Sequence, residues 1–265
     1  RLAAALSRRG EEVGAQVFRI KPSDLKEKRG NKDKDDDHKL LADLLVESPH
    51  LFQKLLAKDR ATIRVREAFF LRQDAQRARI GCEQRLYQSL VGRIFLSEDG
   101  KYPEGLIEDQ YDQLKASDII LQGLIAEERR RELEMKQVVR SLEIWDKIFD
   151  LVEGCGERIA AGIISAIGTP QRFVVAHRNG GERRKRQTIA KIKAFCGVHV
   201  MAGGKYKDVP PEKSFPRRRA GQLSNWSPMA RQSLFQLMDQ FNRRPNSVWG
   251  KKLLECKAKL QAKYP

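Results

Sequence analysis

Apolar residues at helical spacing predict a short helix over residues 157–167. The residues that recur at three- and four-residue steps are Ile159, Ala160, Ile163, Ile164 and Ile167. We expect this helix to have one apolar face. Gly154-Cys155-Gly156 precedes it as a hairpin of small residues, and Gly168-Thr169-Pro170 ends it because proline cannot continue a helix.

Residues 60–95 carry the narrow apolar seam of a coiled-coil helix, and recurring apolar residues predict a second helical stretch over residues 106–149. A polar turn separates the two stretches, so we expect them to pack as an antiparallel hairpin that forms a helical arm. Two further helices are predicted over residues 229–241 and 249–264. The composition of residues 225–228 (Asn-Trp-Ser-Pro) predicts a capped start for the first of these helices.

The N-terminal part of the chain mixes helix and strand signals. A helix over residues 1–9 is expected to end at Gly10, and alternating apolar residues predict a strand over residues 13–20. The acidic residues 33–37 are expected on the first turn of a following helix. The apolar stripe of that helix is Leu40, Leu41, Leu44 and Leu45.

The segments that follow the short helix are predicted mainly as loops. Residues 176–186 form a basic loop in this interpretation, and residues 189–195 are apolar enough to be buried. Residues 202–220 have little helix or strand character. A loop of that length in a compact domain is typically functional or disordered.

Charge narrows the choice of partner. The chain has 52 Lys and Arg against 35 Asp and Glu, a net charge of +17. Residues 171–222 contain 14 basic and 3 acidic residues, a local net charge of +11. This excess favours a polyanionic partner.

Cysteine usage and hydropathy exclude several classes of protein. The cysteines Cys82, Cys155, Cys196 and Cys256 lie far apart without a C-x-x-C pair, so neither a zinc site nor a disulfide framework is indicated. A reducing, cytoplasmic location fits this usage. No apolar run approaches the roughly 18 residues that a membrane span needs.

The glycine hairpin is the first candidate site. The N-terminus of a helix carries positive partial charge, and a hairpin of small residues exposes backbone N–H groups, so Gly154 and Gly156 could bind a nucleic-acid phosphate. The alternative is an ordinary helix–turn–helix corner buried in a core. The basic residues that follow favour the phosphate interpretation.

Asp33 and Asp36 are the second candidate site, because residues three apart are neighbours on a helix face. Paired carboxylates, completed by others from elsewhere, are the ligands that Mg²⁺ or Mn²⁺ needs to polarise a phosphodiester. The alternative is that these residues are solvated and are favoured only by the helix dipole.

Residues 60–95 contain eight Arg and no Lys, and arginine suits phosphate better than lysine does. This excess allows a nucleic-acid-binding arm. A solvated helix face is the alternative interpretation.

Taken together, these motifs resemble the DEDD-type transposases of the insertion sequence 110/116/902 families over nearly the whole chain. Residues 31–37 (NKDKDDD) resemble the second acidic motif of the family. Residues 154–173 resemble its glycine hairpin and continuation, and residues 194–198 (AFCGV) resemble its A-x-x-G-L segment. Residues 217–231 resemble the basic stretch of the family, which precedes an arginine-bearing helix.

The resemblance implies a fold of the α+β class, mostly α, in three parts. Residues 1–58 would belong to a RuvC-like nuclease domain, residues 59–146 would form the helical arm, and residues 147–265 would form a transposase domain with a helix–hairpin–helix. The chain begins at Arg1 without a methionine, and the first acidic residues of the family motif would precede it. We therefore expect a fragment of a longer protein.

The resemblance also implies roles for individual residues. Asp33 and Asp36 would be catalytic and would bind Mg²⁺ or Mn²⁺, although a one-residue shift of the motif would select Asp37. No Ser-Gly follows residues 194–198, so Ser214 is the first candidate for the serine nucleophile, with Ser224 and Ser227 as alternatives. The implied nucleic-acid-binding residues are Gly154, Gly156, Arg183, Arg184, Lys185, Arg186, Arg217, Arg218, Arg219 and Arg231.

The function implied by the resemblance is DNA strand cleavage and exchange for the mobility of an insertion sequence. A structured guide RNA, self-association and a prokaryotic, nucleoid-associated location would accompany it. Two other functions stay open. The chain could be a non-catalytic nucleic-acid-binding remnant, or it could be a RuvC-like junction nuclease. Steep salt dependence is expected of any binding through several phosphates.

Overall fold

The computed structural model divides the chain into two compact units, residues 1–64 and residues 65–265. In the part of the chain that the structure describes, the fold is mostly helical with one small sheet, which confirms the expectation of a mostly α fold. The RuvC-like content of the first unit stays a prediction. The residues that the structure describes are 2–20, 22–31, 33–96, 106–168, 170–173, 182–199, 215–216, 221 and 224–263.

The first unit combines short helices with a two-stranded antiparallel sheet, in which Phe18 lies opposite Lys54. Its elements are α1 (Leu2–Glu12), β1 (Phe18–Ile20), α2 (Pro22–Arg29), a 3₁₀ turn (Lys34–Asp36), α3 (Asp37–Glu47), a second 3₁₀ turn (Pro49–Leu51) and β2 (Phe52–Lys54).

Two boundaries in this unit differ from the prediction, for one reason. Helix α1 does not end at Gly10; the chain turns at Gly14, which has a φ of 69°. The Ala15 N–H then donates to the Gly10 carbonyl at 2.7 Å. This turn uses residues 13–17, so the strand predicted over residues 13–20 is limited to Phe18–Ile20.

The second unit is built from helices. Helix α4 begins in the first unit and continues in the second. The elements from α4 onward are α4 (Ala57–Phe95), α5 (Leu106–Ser117), α6 (Ile119–Arg140), a π-helical turn (Trp145–Phe149), α7 (Glu157–Ile167), a 3₁₀ turn (Pro170–Phe173), α8 (Glu182–Phe195), α9 (Pro228–Arg243) and α10 (Val248–Lys263). No helix within the described residues is long and apolar enough to cross a membrane.

Several predicted elements of this unit are confirmed, and two are corrected. Helix α7 has the predicted bounds, and α9 and α10 begin within one residue of theirs. The stretch 106–149 is not one helix, because Asp118 caps a new start by accepting from the Leu121 N–H at 2.7 Å. Residues 182–186 are helical, so the loop predicted over 176–186 is wrong there; residues 176–181 lie outside the described residues.

Within the second unit, α4 packs antiparallel to α5 and α6, as predicted. The rings of Tyr87 and Tyr111 are 5.2 Å apart near one end of the contact. Near the other end, Phe69 shares a buried cluster with Met135 and Val139. Residues 59–146, expected as an arm, therefore contribute to the same hydrophobic core as α7.

A buried ion pair joins α4 to α6. Arg72 donates to Glu128 at 3.0 Å, and the two side chains are only 6% and 12% exposed. Arg79 donates to the same carboxylate at 2.5 Å. These two arginines are thus paired inside the protein, so the arginine excess of residues 60–95 is not all available to an external phosphate.

Helix α7 is the most enclosed helix of this core. Every residue from Ala160 to Ala166 is buried, so the expectation of a single apolar face is wrong. Its small residues let neighbours approach on opposite sides. A Cβ at Gly162 would overlap the Ser233 hydroxyl of α9 and would lie 3.4 Å from Phe69 of α4.

Replacing Gly162 by alanine should destabilise the protein by about 1–3 kcal/mol, because the added methyl group overpacks the contact with Ser233. Thermal or denaturant unfolding measures this change. Gly123→Ala in α6 is the matched control, since no atom lies within 4 Å of its Cβ position; it should be neutral or stabilise by up to about 1 kcal/mol. Adding Ser233→Ala should restore part of the stability that Gly162→Ala removes, and additivity of the two changes would contradict direct contact.

Replacing Arg72 by alanine should cost about 1.5–3 kcal/mol of unfolding free energy, because Glu128 would lose one of its two charged hydrogen-bond partners and keep Arg79. Arg77→Ala is the control on the same helix, where Arg77 and Asp74 are 73% and 66% exposed. Its effect should stay within about 0.5 kcal/mol. Equal losses in urea unfolding would show that the α4–α6 ion pair is not the buried contact described.

Candidate functional site

The hairpin ahead of α7 depends on two glycines in different ways. Gly154 has a φ of 88°, and a Cβ there would lie 2.9 Å from the Cβ of Gln240, so α9 approaches the backbone too closely for a side chain. Gly156 caps α7 with an ordinary extended backbone, and no atom lies within 4 Å of its Cβ position. The hairpin is closed by the Cys155 N–H, which donates to the Val152 carbonyl at 2.9 Å.

The backbone N–H groups of both glycines are available to a ligand. Neither Gly154 nor Gly156 donates a backbone hydrogen bond to another residue that the structure describes. Gly156 is exposed, whereas Cys155 is buried. The bend is therefore not sealed inside the core, and both glycines line a cavity of about 620 Å³.

The charges around this cavity are balanced. Four basic side chains line it, namely Lys136, Arg140, Arg158 and Arg244. Four acidic side chains line it as well, namely Glu132, Asp150, Glu153 and Glu157. The number of charges alone therefore does not select an anion at the hairpin.

Ion pairing distinguishes the cations of the cavity. Lys136 pairs with Glu132 at 3.2 Å, and Arg140 pairs with Glu157. Arg244 donates instead to the neutral amide of Gln240 at 2.5 Å. Arg158 is exposed and has no ion-pair partner among the described residues. Arg158 and Arg244 are thus the two cations of the cavity that are not within ion-pairing distance of a described carboxylate.

Two titratable groups in the hairpin region have shifted pKa values. Burial raises the pKa of Glu157, but its own backbone N–H and Arg140 lower it by more, so the net shift is downward. This carboxylate is charged at neutral pH beside the N-terminus of α7. Burial raises the pKa of the Cys155 thiol to about 11. Cys155 is therefore neutral and is a poor nucleophile.

The predicted acidic pair lies on the surface of the first unit. Asp33 accepts from the Asp35 N–H at 3.4 Å, and Asp36 pairs with Lys39 at 3.0 Å. Both carboxylates are exposed. In the described parts of the chain, no group of three or more His, Cys, Asp or Glu could hold a metal ion. Asp33 and Asp36 by themselves do not supply the ligand set that Mg²⁺ needs.

Asp37, which a one-residue shift of the acidic motif would select, is less exposed than Asp33 and Asp36. It accepts from Arg29 at 2.8 Å, and these side chains are 24% and 13% exposed. Its Oδ1 atom is buried with no hydrogen-bond partner among the residues that the structure describes. Its contact with Arg29 joins α2 to the start of α3.

Arg231 holds a short segment of the chain rather than extending into solvent. Its guanidinium lies 4.8 Å from the centre of the Trp226 ring and 5.7 Å from that of Phe215. It also donates to the Pro216 carbonyl at 2.7 Å. In the sequence, Phe215 and Pro216 lie between the candidate nucleophile Ser214 and Arg217.

The tryptophan of this contact is itself fixed by packing. Gly197 has a φ of 66°, and a Cβ there would lie 2.7 Å from the Trp226 ring. The Ser227 N–H donates to the Phe195 carbonyl at 2.7 Å, which joins the end of α8 to the start of α9. The segment 194–198 thus forms the support for Trp226.

The remaining candidate residues divide into two sets. Ser224 donates to the Trp226 carbonyl at 3.1 Å, and Ser227 caps α9 by accepting from the Ala230 N–H at 3.2 Å, so both hydroxyls make local structural contacts. Residues 183–186 lie in α8, but their side chains are outside the described part of the structure, as are Ser214 and residues 217–219.

Sequence reasoning missed a second cavity, of about 380 Å³, between α4, α7 and α9. Its lining includes five glutamines, namely Gln73, Gln76, Gln232, Gln236 and Gln240. Their spacing of three and four residues within α4 and α9 places each set on one helix face. That spacing was the available signal. Without the tertiary contact between the helices, nothing in the sequence joins the two sets.

Comparison of the chain with protein-family models, curated proteins and solved structures finds no match.

Proposed function

We propose that this protein binds nucleic acid through the hairpin ahead of α7 and acts in DNA strand exchange of the transposase type. The open N–H groups of Gly154 and Gly156 carry the binding part of the proposal, because backbone amides at a helix N-terminus suit a phosphate oxygen. Arg158 and Arg244 line the same cavity and would contribute charge-assisted hydrogen bonds.

In this proposal, the affinity for nucleic acid and the position of the bound strand have different sources. The cavity is charge-balanced, so long-range attraction would come from the net charge of +17. The hairpin would then fix where one phosphate lies relative to α7 and α9. A buried helix is suited to that task because its N-terminus does not move independently of the core.

The strand-exchange part of the proposal depends on the family resemblance. Ser214 would attack the phosphorus of a phosphodiester and lose its hydroxyl proton to solvent, while the P–O bond to one deoxyribose breaks and that oxygen leaves as a free hydroxyl. A hydroxyl of the exchanged strand would then attack the serine phosphodiester and release Ser214, and the neighbouring arginines would stabilise the charge that develops in both steps. Arg231 supports this assignment because it anchors Phe215 and Pro216, which are next to Ser214 in the sequence. Asp33 and Asp36 do not form a metal site by themselves, and no step is assigned to a metal. DNA is the proposed substrate, and a guide RNA and self-association are proposed on the resemblance alone.

Replacing Arg158 and Arg244 together by alanine should weaken binding to labelled duplex DNA. The slope of log K against log salt should decrease by about 0.9 for each phosphate that the variant no longer neutralises. Fluorescence anisotropy between low and moderate salt measures both effects, and a melting curve verifies that the variant is folded.

Arg129→Ala is the control for a general loss of positive charge, because Arg129 is exposed on α6 and does not line the cavity. Its effect should be clearly smaller than that of either single cavity variant. Equal effects of Arg129→Ala and Arg158→Ala would mean that binding is diffuse and that the hairpin is not the site. A DNA affinity that does not change with salt concentration would contradict any binding through phosphates.

Strand exchange on a donor and target DNA with Mg²⁺ tests the catalytic part. Ser214→Ala should abolish exchange while leaving DNA affinity nearly unchanged, since this change does not touch the hairpin. Ser89→Ala is the matched control, because Ser89 is an exposed serine on α4. If the parent protein exchanges strands and the Ser214→Ala variant is equally active, Ser214 is not the nucleophile. A parent that binds DNA but never exchanges strands would favour the non-catalytic binding function.

A further inference from the structure

The glutamine cavity between α4 and α9 has an unusual combination of walls and rim. Its walls carry side-chain amides from both helices, and its rim carries the aromatic ring of Phe235, which is 73% exposed. A large aromatic side chain left this exposed beside a polar cavity has little packing role within the described structure. The feature thus suits a ligand that offers both a ring face and polar edges.

Most of the amide groups in this cavity are free to bind. Gln73, Gln232 and Gln236 make no side-chain hydrogen bond to a residue that the structure describes. Gln76 accepts from Arg72 at 2.7 Å, which leaves its NH₂ group available as a donor. Each amide presents a donor and an acceptor side by side, the pattern that matches the edge of a nucleobase.

Three charged side chains line the glutamine cavity, namely Arg72, Arg158 and Asp239, whereas eight line the cavity at the hairpin. The charge of Arg72 is compensated by Glu128 at 3.0 Å. The charge of Asp239 is compensated by Arg243 at 2.9 Å. An uncharged ligand group suits these walls better than a phosphate does, because an anion would find no uncompensated cation among them except Arg158 at the boundary.

The two cavities adjoin. Arg158, Ile159 and Gln240 line both of them, so the hairpin cavity and the glutamine cavity are neighbours beside the first turn of α7. The hairpin cavity has open amides and cations without an ion-pair partner, and the glutamine cavity has neutral amides and an exposed ring. This order matches a nucleotide, whose charged backbone and uncharged base lie side by side.

We propose that the glutamine cavity receives an unpaired nucleobase, stacked on Phe235 and hydrogen-bonded by Gln73, Gln232 and Gln236. The inference depends on the proposed function, because it assumes that the adjoining hairpin holds the phosphate of the same strand. The ligand is therefore single-stranded, since a base within a duplex keeps its face stacked and its pairing edge occupied.

Anisotropy titrations of the full chain with single-stranded DNA, single-stranded RNA and duplex DNA of equal length test this inference. Phe235→Ala should weaken single-strand binding by roughly 5- to 160-fold, the range for loss of one stacked base, and should leave duplex binding unchanged. Phe235→Tyr keeps the ring and should bind like the parent. Whether the DNA or the RNA arm weakens identifies the strand that the cavity receives.

Two further variants sharpen the test. Gln236→Ala should change the ranking of homopolymeric single strands, with the largest loss for adenine, because a glutamine amide pairs with the adenine edge. Met238→Ala is the matched control, because Met238 is 45% exposed on the same helix and does not line the cavity; it should bind all strands like the parent.

Equal weakening of single-strand and duplex binding by Phe235→Ala would overturn the inference, as would no weakening at all. The failure of the broader proposal gives a different result. If Arg158→Ala weakens binding and Phe235→Ala does not, the phosphate site stands and the base site falls. If neither change has an effect, both fall.

Discussion

Close contact between α7 and α9 at Gly162 and Ser233 is the constraint on which the second unit depends. A glycine at this point lets two helix backbones approach so closely that a methyl group would not fit. Because α4 and α6 pack on the other sides, α7 is buried from Ala160 to Ala166. The N-terminal end of α7 is exposed at Arg158, and the hairpin directly precedes this end.

The candidate site follows from that arrangement. Gln240 of α9 and Arg244, the residue that caps the end of α9, lie beside Gly154. One to two turns earlier, α9 supplies Gln236 and Gln232 to the adjoining cavity. The interface between α7 and α9 thus contributes to both cavities. Ion pairs compensate charges in the walls of the two cavities. Arg140 pairs with Glu157 in the hairpin cavity, and Arg72 of the glutamine cavity pairs with Glu128.

Local signals in the sequence predicted the parts of this fold that depend on local physics. Apolar periodicity predicted the bounds of α7, and the composition at Ser227 predicted the capped start of α9. Burial of Arg72 and of α7 from Ala160 to Ala166 could not be predicted, because it depends on which distant helices pack together. For the same reason the hairpin was predicted without its four carboxylates, and the glutamine cavity was not predicted at all. The strand prediction over residues 13–20 was wrong in extent because the chain turns at Gly14 rather than at Gly10.

Hydrogen–deuterium exchange of the full chain, with and without a saturating single-stranded oligonucleotide at low salt, tests the central claim most directly. That claim is that a buried helix holds open backbone amides for a phosphate. The account predicts that residues 160–166 exchange slowly in both states and that the amides of residues 154–158 become protected on binding. Saturated binding with unchanged exchange at residues 154–158 would contradict it.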